Sequence, residues 1–147
     1  MRSQSSMDIY KASAGSGKTF SLTLHYIELV LKSPTNYRHI LAVTFTNKAT
    51  AEMKSRILEV LQGLATNGEE VAKYRNVLLN RIPHATPQTL QQNAHAVYTA
   101  ILHDYSRFSV ATIDSFVQRI IRSFAWELGI DGGFKLQLAV DPVKEDL

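Results

Sequence analysis

The sequence predicts an α/β fold: a parallel sheet of short apolar strands, incomplete within this chain and interrupted by a helical insertion. Three observations lead there. Short apolar segments at residues 8–12, 39–45 and 109–113 are each followed by a stretch whose apolar residues recur at helical spacing. The first two segments are separated by one helix, whereas a much longer helical excursion separates the second from the third. A chain of 147 residues, 45% hydrophobic and 20% charged, is also long and apolar enough to bury one core rather than stay disordered. The expected division is residues 1–66 for the first part of the α/β unit, 67–106 for the insertion and 107–147 for the return to the sheet.

Taken in order, residues 8–12 form a strand that delivers the chain into a glycine-containing loop, and a helix follows from 18 to about 32. Phe20, Leu24, Ile27 and Leu31 share one face of it, and Ser33, Pro34, Thr35 and Asn36 end it in a turn. The run Ile40, Leu41, Ala42, Val43 is short and continuous, as expected of a strand covered on both sides. A second amphipathic helix runs from about 48 or 50 to 65, carrying Met53, Ile57, Leu58, Leu61 and Leu64, and Thr66, Asn67 and Gly68 stop it. Residues 69–80 are helical, 83–87 break the pattern, and 88–105 form another helix with Leu90, Ala94, Val97 and Ile101 on one side. After the strand at 109–113, a helix spans about 115–128. Phe116, Val117, Ile120, Ile121 and Phe124 cover so much of its circumference that it should lie between other elements. A turn at 129–133 leads to alternating residues 134–138, a further strand.

The chemistry is concentrated in Ala12, Ser13, Ala14, Gly15, Ser16, Gly17, Lys18 and Thr19. A polyphosphate needs several inward-pointing donors at close range, and only small residues let backbone amides curl around it unobstructed. Lys18, at the start of the new helix, is placed to reach the β- and γ-phosphates of ATP, and the Thr19 hydroxyl is placed to bind Mg²⁺. The helix amino end adds donors and a favourable dipole. Together these define a phosphate-loop NTPase with Lys18 and Thr19 as its catalytic and metal-binding residues. Ala12 stands where the common pattern begins with Gly, a mild departure because Ala is the smallest residue with a Cβ.

Two further segments carry a family resemblance. Ala42, Val43, Thr44, Phe45, Thr46, Asn47, Lys48, Ala49, Thr50, Ala51, Glu52 and Met53 resemble a stretch of the superfamily 1 DNA helicases, the UvrD and Rep group, most like the RecB and AddA helicase-nuclease branch. Thr112, Ile113, Asp114, Ser115 and Phe116 resemble that family's Thr-Ile-His-Ser-Phe stretch, with Asp114 where His is usual. The family also commonly carries Ala at the first position of the phosphate loop. The resemblance implies an incomplete RecA-like first motor domain of an ATP-dependent helicase that moves along single-stranded DNA in recombination or repair. Its implied cofactors are ATP and Mg²⁺, and its implied partners are single-stranded DNA, the rest of a helicase chain and a nuclease subunit. The implied DNA contacts are Thr44, Phe45, Thr46, Asn47 and Lys48 in one patch and Thr112, Ser115 and Phe116 in a second. Phe45 offers a π surface, Thr44, Thr46 and Asn47 can bond to backbone or bases, and Lys48 can meet phosphate. Read from residue chemistry alone, Phe45 is more readily a last core residue of its strand, with Thr46 and Asn47 capping the next helix, a preference that the family resemblance reverses.

Asp114 follows an apolar strand, as a magnesium-organising acid would, yet Ser115 stands where ATPases of this type place a catalytic Glu. Neither acidic pair, Glu69-Glu70 or Glu145-Asp146, follows an apolar strand, and no second set of motor motifs fits the length. The chain therefore reads as the amino-terminal piece of a longer helicase, inactive by itself. Two other readings stay open: a small phosphate-loop kinase with Arg75 or Arg81 on a lid, and a non-catalytic module that binds nucleic acid or a partner. Arg119, Arg122, Arg56 and Lys11 are either solvated helix charges or contacts to DNA or nucleotide. Residues 67–106 show neither a dense basic stripe nor a run of aromatics, so duplex DNA contacts and a partner surface both stay open for them.

Composition limits the rest. Sixteen Lys plus Arg against thirteen Asp plus Glu leave a charge of +3, which permits an anionic partner but does not demonstrate one. The sequence contains no Cys, which excludes a disulfide framework, a thiolate zinc site and a Cys nucleophile, and suits a reducing cytoplasm. The five histidines are scattered without a ligand cluster. No apolar run approaches the roughly 20 residues a bilayer span requires, so no membrane association is expected.

Overall fold

The computed structural model describes residues 17–127 and 129. They form a mostly helical structure with a small two-stranded parallel sheet. Helix α1 spans Gly17–Leu31, strand β1 Ala42–Thr44, helix α2 Asn47–Thr66, helix α3 Ala72–Arg81, helix α4 Pro87–His103, strand β2 Val110–Thr112 and helix α5 Ile113–Glu127. Single 3₁₀ turns at Asn36–His39, Glu69–Val71 and Tyr105–Arg107 link them. The predicted strands at 8–12 and 134–138 lie outside the described residues, as does the turn at 129–133 apart from Gly129, whose φ is +66°. No helix among the described residues is long and apolar enough to cross a membrane.

Parallel strands cannot be joined by a tight turn, and the long excursion through α2, α3 and α4 supplies the crossover between β1 and β2. The register pairs Ala42 with Val110, Val43 with Ala111 and Thr44 with Thr112. Packing of α4 along α2 forms the centre of the molecule. Leu90, Ala94, Val97 and Ile101 of α4 and Met53, Ile57, Leu61 and Leu64 of α2 are all buried, as their spacing predicts. Leu24, Ile27 and Leu31 of α1 join the same core, together with Tyr37, Leu78 and Phe108. The Tyr37 hydroxyl donates to the Ala100 carbonyl at 2.9 Å, tying the turn after α1 to α4.

Local chemistry explains the element ends. Thr86 caps α4 in a capping box with Thr89, and Pro87, expected to break the pattern, is instead its first residue, where its missing N–H is no loss. At the end of α2 the left-handed residue is Asn67, φ 58°, rather than Gly68, φ −63°. Gly68 N donates to the Gly63 carbonyl at 2.8 Å, closing the helix in a Schellman-type cap. The helix expected over 69–80 is a 3₁₀ turn followed by α3.

Two expectations fail on burial. The β1 segment is not covered on both sides: Ala42 is buried, but Leu41 and Val43 on the other face are 37% and 41% exposed. Nor does α5 lie between other elements among the described residues. Among the described residues it packs mainly on the two strands, leaving Val117, Ile120 and Phe124 exposed. Both failures share a cause among the described residues, where the α2–α4 core fills only one face of a sheet whose apolar sequence suits two.

Candidate nucleic-acid interface

The carboxyl ends of β1 and β2 form one edge, because the strands are parallel and Thr44 and Thr112 are register partners. Two segments 68 positions apart, Thr44 to Lys48 and Thr112 to Phe116, therefore meet there. Each strand passes almost directly into a helix, so the amino ends of α2 and α5 open on the same edge. Their unsatisfied backbone donors give it a partial positive charge.

Within the first segment, Thr46 is the N-cap of α2, its hydroxyl accepting from Ala49 N at 3.1 Å. The Thr44 and Thr50 hydroxyls lie 2.6 Å apart, and both reach the Thr46 carbonyl, at 3.2 and 3.1 Å. Sequence reasoning misses Thr50 as a site residue, although a Thr in the first turn of a helix signals such back-bonding. This network holds the turn closed and leaves Phe45 pointing out, 86% exposed. Phe45 is thus not a last core residue of its strand. Asn47 and Lys48 are exposed in the first turn of α2, Lys48 lying 3.9 Å from exposed Glu52.

The second segment repeats the design. Buried Thr112 accepts from Ser115 N at 3.1 Å, and its hydroxyl lies 2.8 Å from that of Ser115. Thr112 therefore organises the turn, while Ser115 is exposed and Phe116 half-buried. Asp114 is an exposed residue of α5's first turn rather than a strand-ending acid. There it complements the helix dipole.

Of the phosphate-loop residues, Ala12, Ser13, Ala14, Gly15 and Ser16 lie outside the described residues. Gly17, Lys18 and Thr19 begin α1 and are all exposed. Among the described residues, a Cβ built on Gly17 would meet nothing within 4 Å. The arginines suggested for a kinase lid are engaged elsewhere: Arg75 donates to the Gly68 carbonyl, and Arg81 lies 3.6 Å from Glu28.

A further feature adjoins the edge. A groove of about 360 Å³ on α5 and β2 is lined by Ala111, Ser115, Gln118, Arg119 and Arg122. The one large pKa shift is on α1, at a residue that does not line the groove. Burial, with Tyr37 adding to it, pushes the Tyr26 phenol up, and the Tyr26 hydroxyl has no hydrogen-bond partner among the described residues.

A parallel pair of strands ending in helix amino termini, preceded by a Gly-Lys-Thr helix start, is consistent with an incomplete RecA-like α/β core. The chain belongs to the UvrD/Rep helicase N-terminal domain family, whose model matches residues 3–144. Among its relatives is an ATP-dependent helicase/nuclease subunit of Bacillus pumilus, 33% identical over 127 residues, covering 85% of this chain and 8% of that protein. The protein of the same name from Lactobacillus acidophilus is 34% identical over 131 residues, covering 87% of this chain and 9% of its own length. The Listeria monocytogenes protein of that name is 32% identical over 138 residues, covering 92% and 9%. The chain thus spans less than a tenth of the length of these relatives. No solved structure matches it.

Proposed function

We propose that the chain is the ATP-binding, single-strand-gripping amino-terminal part of an ATP-dependent DNA helicase that works with a nuclease subunit. The observation that carries this reading is the pairing of Thr44 with Thr112, which brings both family segments to one edge with Phe45 exposed beside them. Exposure of a large aromatic ring at a helix amino end is costly in water and useful to a base, whose face stacks on it whatever its identity. Division of labour follows within each segment. Thr44, Thr46 and Thr112 spend their hydroxyls on the turns, so they hold the edge in shape. Phe45, Asn47, Lys48, Ser115 and Phe116 are left to touch DNA.

The nucleotide belongs at the amino end of α1. Gly17, Lys18 and Thr19 are exposed there, and a helix amino end offers N–H donors that suit a triphosphate. Lys18 would hold phosphate oxygens and Thr19 the Mg²⁺, whose charge would offset that of the phosphates. Ala12 to Ser16 would complete the cradle. Residues 1–66 and 107–147 then make up the motor unit, with 67–106 inserted between them. Hydrolysis and translocation belong to the longer polypeptide in which such a domain operates, in DNA recombination or repair.

The test is a titration of Mg²⁺-ATP into this chain and its Lys18→Ala variant, followed by fluorescently labelled oligo(dT). Saturable ATP binding weakened at least tenfold by the substitution supports the reading. Equal nucleotide affinity in both proteins would refute it in favour of a non-catalytic module.

A further inference from the structure

The groove on α5 and β2 stands out by its charge. The other arginines among the described residues are occupied: Arg38 and Arg107 with Asp104, Arg56 with Glu59, Arg81 with Glu28 and Arg75 with the Gly68 carbonyl. Arg119 and Arg122 have no such partner among these residues, although both line the same groove with Gln118 and Ser115. Both are exposed. Three positions apart on a helix, they stand on neighbouring turns of one face, about 5–6 Å between Cβ atoms.

Two guanidiniums without an acidic partner among the described residues, flanked by a hydroxyl and an amide, make a surface rich in donors. An extended phosphodiester chain matches it, since Arg donates in a fork to phosphate oxygens and the polar neighbours can reach the same oxygens or sugar. The groove begins at Ser115, in the turn on the edge that bears Phe45, and follows α5 away from it. We propose that Arg119 and Arg122 hold the sugar–phosphate backbone of the single strand whose base stacks at Phe45. This inference rests on the DNA-binding reading above and adds two contacts to it. Base stacking at the edge and backbone neutralisation along α5 would together set the direction in which the strand leaves the edge.

The experiment measures oligo(dT) affinity against salt for this chain, for Arg119→Gln/Arg122→Gln, for Phe45→Ala, and for Lys32→Gln/Lys73→Gln, which removes the same charge elsewhere. Each phosphate contact on a single strand contributes roughly 0.7 to the slope of log K against log salt. The double arginine variant is therefore expected to lower that slope by about 1.4, with an unchanged unfolding midpoint and unchanged Mg²⁺-ATP affinity. Phe45→Ala is expected to weaken binding with little change of slope. An arginine variant with the parent slope, or one that loses ATP rather than DNA, overturns the inference. If Phe45→Ala weakens binding while the arginine variant does not, the groove assignment falls and the DNA-binding reading stands. If the Lys32/Lys73 control lowers the slope equally, the effect is one of net charge and the inference falls. If the parent chain fails to bind oligo(dT), both fall.

Discussion

Replacement of Phe45 by Ala should separate folding from DNA binding at this edge. With the residue 86% exposed, only about a seventh of its area is out of water. Burying a whole Phe side chain contributes roughly 1.5–3 kcal/mol, so truncation here forfeits about 0.2–0.4 kcal/mol of stability. A base stacked on an aromatic ring contributes about 1–3 kcal/mol, which corresponds to about a 5- to 150-fold change in affinity. The two effects differ by close to an order of magnitude. Urea unfolding followed by circular dichroism should give nearly superimposable curves for the parent and Phe45→Ala, while fluorescence anisotropy with labelled oligo(dT) shows a loss of at least fivefold. A stability loss above 1 kcal/mol would show that the ring is a packing residue, and unchanged affinity would show that its exposure serves no base. Either result would refute the reasoning.

Three other outcomes test the surrounding structure. Thr46→Ala removes the α2 cap and should cost about 1 kcal/mol in urea unfolding, with Thr46→Asn recovering most of it. Gly63→Ala would place a Cβ 2.6 Å from Cγ1 of buried Val71. The variant should lose about 1–3 kcal/mol from overpacking, offset in part by the helix preference of Ala, which a lowered urea midpoint would register. Tyr26→Phe removes a buried hydroxyl that has no partner among the described residues, and should leave stability at pH 7 unchanged or raised by up to about 1 kcal/mol. The same variant should flatten the alkaline response. Burial raises the Tyr26 pKa above its ordinary value of 10.0. Its contribution is therefore complete below pH 10, and declines as pH rises toward the folded-state value because the unfolded chain gives up its proton first. Thermal unfolding between pH 9 and 11 should show a shallower decline in Tyr26→Phe than in the parent.

The sequence by itself determined every α-helix among the described residues and most of the core. Helical periodicity marks which side chains need burial whatever their partner, and so Leu90, Ala94, Val97 and Ile101 were legible without coordinates. The sequence also carried the family, because Thr44 to Lys48 and Thr112 to Phe116 are local strings. Only the tertiary structure decided that these strings share an edge, since strand register is set by packing between segments 68 positions apart. It also decided which threonines hold the turns and which neighbours they leave exposed. Composition could not separate an exposed Phe45 from a buried one, because an apolar residue at a strand end satisfies the same pattern in either position. The same ambiguity hid the uncovered face of β1 and α5: apolar residues record a demand for burial, and only the arrangement of the other elements shows whether it is met.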